Sequence, residues 1–138
     1  QELFEKIISI NRVCNYHNML KIDVAALAPG ESSLMIHVEE RHINPQSVAH
    51  GGVAFSLVDT AMGMAIRTHN TVGVTVEINI NYVKPVVQGD TIYSTGRVVS
   101  LGKKIIIAQG DVTNQNGELI AISRGTYYNR GTKLVNQS

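Results

Sequence analysis

The chain has no tryptophan, and aromatic residues make up only 5% of its 138 positions. A platform for stacking unpaired bases needs more ring faces than that, which argues against single-stranded nucleic-acid binding. Charge is scarce too: Asp, Glu, Lys and Arg amount to 17%, against about 25% in an average globular domain. The formal net charge of +1 leaves no electrostatic footprint of a nucleic-acid binder. A surface so poor in charge implies that part of it is covered, and self-association is the expected cover. Cys14 is the only cysteine, which rules out an internal disulfide and fits a reducing compartment. No apolar run approaches the roughly 18 residues of a membrane-spanning helix, and no secretory signal pattern is present. The expectation is a soluble cytoplasmic protein with neither nucleic acid nor membrane as partner.

What is present fits one domain over residues 1–138, opened by an N-terminal helical segment in residues 1–20. Leu3, Ile7 and Ile10 fall on one face of a helix spanning Glu2–Val13. Strand-like stretches follow at Lys21–Pro29 and Ser32–Glu39, separated by Pro29-Gly30. Asn44-Pro45 opens an irregular loop that ends at Gly51-Gly52, and Val53–Thr68 reads as a helix. Four further strands are expected at Gly73–Val83, Thr91–Ser100, Lys104–Thr113 and Leu119–Tyr128, the last pair joined by the hairpin signal Asn116-Gly117. This order predicts an α+β domain, an antiparallel sheet around one long helix.

That helix has almost no polar side. Ser56, Asp59, Thr60, Gly63 and Arg67 form a thin seam on an otherwise apolar cylinder, so Asp59 is expected to be half-buried. His50 precedes it by nine residues, or about 13 Å at ~1.5 Å per helical residue. One subunit cannot bring both to the same scissile bond. A two-fold dimer with antiparallel central helices would bring His50 of one chain to Asp59 of the other, giving a composite site. Gly51 and Gly52, at the helix start, can present N–H groups to a developing oxyanion.

The run from Asn44 through His50-Gly51-Gly52 to Asp59 resembles the hotdog-fold acyl-CoA thioesterases, specifically the branch typified by the phenylacetic-acid-degradation (PaaI-like) enzymes. GVTVEININ, YVKPVVQGD and SRGTYY in the second half are similar to that family as well. The resemblance implies a hotdog fold and hydrolysis of acyl-CoA, with aryl or medium-chain acyl groups. Asp59 would act as general base or nucleophile, and Gly51 would donate its N–H to the thioester oxygen. His50 would polarise the carbonyl or steady the thiolate, Asn44 would orient water or carboxylate, and Thr75 would hydrogen-bond near the carboxylate. No cofactor is implied, since coenzyme A is part of the substrate, and none of the five histidines shows a metal-ligand pattern.

For the phosphates of coenzyme A the candidate cations are Lys84, Lys103, Lys104, Arg97 and Arg124, with Gly52 as a further substrate contact. Phe55, Met62, Met64 and Tyr82 are candidates for the acyl pocket. A strict alternation in the 73–83 strand would put Val74, Val76, Ile78 and Ile80 on one side and Thr75, Glu77, Asn79 and Asn81 on the other. With Thr75 in the site, the aliphatic row would need a second dimer as cover, giving a tetramer, unless a β-bulge changes the parity. Two other readings of the site are a dehydratase, which the HGG–Asp pattern does not favour, and a non-catalytic acyl-CoA-binding module.

Overall fold

In a computed structural model, residues 1–136 are described. Helices α1 (Glu2–Val13) and α2 (Asn15–Leu20) lead into strands β1 (Asp23–Ala28) and β2 (Glu31–His37). A 3₁₀ turn (Glu40–His42) and a loop reach the central helix α3 (Gly51–Arg67). Strands β3 (Gly73–Tyr82), β4 (Thr91–Leu101), β5 (Ile105–Asn114) and β6 (Leu119–Asn129) complete the chain. All six strands form one antiparallel sheet in the order β1-β2-β4-β5-β6-β3. The expected architecture is therefore present.

The sheet curves around α3, whose Leu57, Val58, Ala61, Met62, Ala65 and Ile66 are fully buried. Met62 and Met64 belong to this core, while Phe55 is half-buried. Three glycines on neighbouring strands let the sheet approach the helix. A Cβ on Gly96 would lie 2.5 Å from the Ala61 backbone, and one on Gly110 2.5 Å from a Val58 methyl. A Cβ on Gly125 would meet the Tyr127 ring at 2.7 Å and the Met62 methyl at 3.2 Å.

The helix begins two residues earlier than the sequence pattern places it. His50 is its N-cap, with Nδ1 accepting the Gly52 N–H at 2.8 Å, so Gly51 and Gly52 lie in the first turn. A side chain at Gly52 would press on that imidazole at 3.0 Å, which is why the first turn is glycine-rich. The strict alternation expected of β3 also fails. A bulge between Thr75 and Glu77 inserts Val76, so that Thr75 pairs with Tyr127 and Glu77 with Thr126. Thr75 then points to α3, and so do Ile78 and Ile80, which pack on the core. Ile78 and Ile80 therefore need no second dimer as cover, while Val74 and Val76 stay exposed.

The close approach at Gly96 has a direct test. Gly96→Ala should overpack the sheet–helix contact and cost about 1–3 kcal/mol, read as a lower urea midpoint. An unchanged midpoint would mean that α3 is free to move away from β4.

Candidate active site

The central seam of α3 carries the one acidic side chain of that helix, Asp59, half-buried as expected. Two hydroxyls converge on its Oδ1: the Tyr127 phenol donates at 2.8 Å and Thr75 Oγ1 at 3.2 Å. Both come from the sheet, on adjacent strands whose Thr75 and Tyr127 are register partners. Tyr127 is 1% exposed, and burial followed by the Asp59 charge pushes its phenol far above the ordinary range. It is thus a permanent donor, and it fixes the orientation of the carboxylate. No hydrogen bond is made to Oδ2 within the described residues, leaving that oxygen available.

Below Asp59 on the seam, a cavity of about 130 Å³ is lined by His17, Asp59, Thr60, Gly63, Met64 and Arg67. Ser56, the remaining seam residue, is buried and shares a 2.7 Å hydrogen bond with the Tyr16 hydroxyl, which ties α2 to the helix. Burial of the ring, then the Arg67 charge, lowers the His17 pKa, with Asp59 acting in the opposite sense. Burial likewise lowers that of Arg67.

The second half of the site lies at the N-terminus of α3. His50, Gly51, Ala54, Tyr82, Lys84 and Pro85 are among the residues lining a cavity of about 280 Å³ with an apolar back wall. The Tyr82 hydroxyl donates to the Gly51 carbonyl at 2.6 Å, and a Cβ at Gly51 would meet that hydroxyl at 3.2 Å. The Gly52 N–H is taken by His50, whereas the Gly51 N–H has no partner within the described residues. Accepting at Nδ1 also sets the His50 tautomer, with its proton on Nε2 facing outwards. Asn44 caps its own loop: Oδ1 accepts the Gln46 N–H at 2.9 Å and the Val48 N–H at 3.3 Å.

One chain therefore holds two separated groups of candidate residues, His50 and Gly51 at one end and Asp59 and Thr75 at the other, while Asn44 stays bonded within its own loop and does not line the His50 cavity. The candidate cations do not converge. Lys84 lines the His50 cavity and pairs with Glu118. Lys103 and Lys104 are exposed at the β4–β5 turn, and Arg124 joins Arg97 in a depression on the outer face of the sheet. Tyr127 and His17 were not among the residues singled out from the sequence. The inward parity of Tyr127 in SRGTYY was available as a signal; nothing in the sequence brings His17 to Asp59. Among the described residues no cluster of three or more His, Cys, Asp or Glu could hold a metal, and no helix is long and apolar enough to cross a membrane.

A helix wrapped by one antiparallel sheet, with a carboxylate on its seam and glycines at its start, defines a hotdog-fold domain. Residues 46–121 match the thioesterase superfamily, and the chain belongs to that family. Human acyl-coenzyme A thioesterase 13 is 35% identical over 130 residues, covering 91% of this chain and 93% of the relative. Acyl-coenzyme A thioesterase PaaI of Escherichia coli is 27% identical over 119 residues, 86% of this chain and 85% of its own. The structure of the E. coli PaaI protein superposes with a TM-score of 0.89 over 95% of both chains at 24% identity, which speaks to the fold. A Streptococcus mutans protein bound to acetyl-CoA superposes with a TM-score of 0.78 at 28% identity, over 81% of this chain and 90% of its own.

Tyr127→Phe keeps the packing and removes one donor to Asp59. It should lower the unfolding free energy by about 1.5 kcal/mol, the scale of a hydrogen bond to a charged group, in urea titrations. Equal stability of the two proteins would show that the phenol does not hold the carboxylate.

Proposed function

We propose that this protein hydrolyses acyl-CoA thioesters to the free acid and coenzyme A, in two equivalent sites shared between the subunits of a dimer. The observation that carries the proposal is the divided site: an oriented carboxylate at Asp59 lies about 12 Å along the helix from the Gly51 donor. The family of the chain and the activities named for its relatives supply the reaction class.

In this reading β3 is the dimer seam. It ends the sheet with its outer edge unpaired, over ten residues. Val74 and Val76 are 46% and 60% exposed on it, and a long unpaired strand edge is of the kind that proteins cover. A second β3 added antiparallel across a two-fold axis satisfies that edge and sets the two α3 helices side by side in opposite directions. Asp59 of one subunit then faces His50 and Gly51 of the other.

The thioester carbonyl would sit between these groups. Its oxygen accepts the Gly51 N–H, strengthened by the positive end of α3, and the His50 Nε2–H stands beside it. Asp59 Oδ2 takes a proton from water as the water attacks, or attacks the carbonyl itself. Asn44 orients the attacking group, and Thr75 with Tyr127 keeps Oδ1 engaged. Lys84, at the rim of the His50 cavity, is the candidate cation for the coenzyme A half, whereas Lys103, Lys104 and Arg124 lie apart from it. The apolar back wall of that cavity suits an aryl or medium-chain substrate.

Thiol release from a panel of aromatic and aliphatic acyl-CoAs tests the activity. Asp59→Asn should lower kcat by about 10²–10⁴ with the fold intact. Near-normal turnover in this variant would remove the central claim, and tight binding without turnover in the wild type would identify a binding module instead. Mixing inactive His50→Ala and Asp59→Ala subunits should restore part of the activity, because one site in each hybrid regains both groups. If subunits exchange and no activity returns, the site is not shared.

A further inference from the structure

The Tyr82 side chain is exposed, yet its hydroxyl is committed to a backbone atom of another element. Tyr82 is the last residue of β3 and pairs with Ala121 of β6. The next N–H, that of Val83, donates to the Ile120 carbonyl at 2.7 Å, so the strand end is anchored. From there the ring reaches the first turn of α3, where the phenol donates to the Gly51 carbonyl at 2.6 Å. Glycine makes room for this approach: a Cβ at Gly51 would lie 3.2 Å from the phenol oxygen and 3.4 Å from the carbon that bears it. Burial raises the Tyr82 pKa, so the phenol keeps its proton and remains a donor near neutral pH.

The Gly51 carbonyl and the Gly52 N–H belong to one planar peptide unit. That N–H donates to His50 Nδ1 at 2.8 Å. Phenol, peptide and imidazole therefore form a single chain of hydrogen bonds, in which the bond received at the carbonyl polarises the amide and strengthens its donation. The peptide lies between two glycines, with no side chain on either flank to restrict it. The main chain around His50 is fixed from other directions. The His50 N–H donates to the His42 carbonyl at 2.8 Å, and the Ala49 N–H donates to the Val86 carbonyl at 2.7 Å. Those contacts leave the imidazole itself to be held, and its one hydrogen-bond partner among the described residues is the Gly52 N–H.

We propose that Tyr82 is a positioning residue: its phenol holds the Gly51–Gly52 peptide, and through that peptide it holds the His50 ring with Nε2–H free for the thioester carbonyl. This rests on His50 acting at the carbonyl in the proposed reaction. Tyr82 also lines the cavity at the start of α3. A ring that served only as a wall of that cavity would change which acyl group fits, and it would leave the Gly52 amide as it is.

Tyr82→Phe in the full chain keeps the ring and deletes the hydroxyl. Amide hydrogen exchange, followed residue by residue by NMR without substrate, should show Gly52 exchanging about 3- to 10-fold faster than in the wild type, the worth of one neutral hydrogen bond. With an acyl-CoA that the wild type turns over, kcat should fall by a similar factor at unchanged KM. Unchanged exchange at Gly52, a wild-type kcat, or a change confined to KM would each overturn the proposal. A wild type that hydrolyses no acyl-CoA would overturn the thioesterase reading and the positioning role with it. The Gly52 exchange then tells that failure apart from a failure of the Tyr82 contact itself.

Discussion

A helix of seventeen residues with almost no polar face has to be surrounded, and a single sheet does the surrounding. The rest of the structure follows from how closely that sheet can approach. Gly96 on β4 and Gly110 on β5 are register partners, and Gly125 on β6 pairs with Ala108 beside them. Together they form a shallow trough where backbone meets helix, with Ala61 and Met62 lying in it. Burial of this kind supplies the core, and it also sets the height at which Asp59 meets the Tyr127 phenol. The tight packing and the geometry of the candidate site therefore share one cause.

The carboxylate is a small exception in that apolar contact, and its surroundings contain it. Tyr127 is part of the core by area and part of the site by its hydroxyl. Half of Asp59 is thereby tied to the buried core, while the other half meets a cavity. The N-terminal half-site is built differently. His50 completes its own helix by capping it, and Asn44 completes its own loop, so both are positioned by local backbone chemistry.

Much of this was readable in the residues. The apolar cylinder of α3, its seam and the strand order follow from periodicity and turn chemistry, as in Asn116-Gly117, where Gly117 takes a positive φ of 75°. The half-buried state of Asp59 follows from the same pattern. Other features depend on contacts between distant segments and left no local mark. Nothing around Tyr16 and His17 signals that a six-residue helix will fold back over Ser56 and Gly63. The early start of α3 was hidden because glycine ordinarily weakens a helix; His50 compensates by accepting the Gly52 N–H. The parity conflict between Thr75 and the aliphatic row pointed to a β-bulge as one alternative, but nothing in a β-branched run marks Val76 as the residue that stands outside the ladder.

That bulge ties two ends of one strand to opposite requirements. Upstream of Val76 the inward position belongs to Thr75, which serves the carboxylate; downstream it belongs to Ile78 and Ile80, which serve the core. The single extra residue reconciles a polar duty and an apolar one that have the wrong spacing for a regular strand. Strand β3 cannot gain or lose one residue at Val76 without changing which side chains face the helix. Losing it would leave either the hydroxyl or both isoleucines facing outwards. Length at this point is therefore inherited more strictly than identity, and relatives that keep the bulge should differ in composition there before they differ in number.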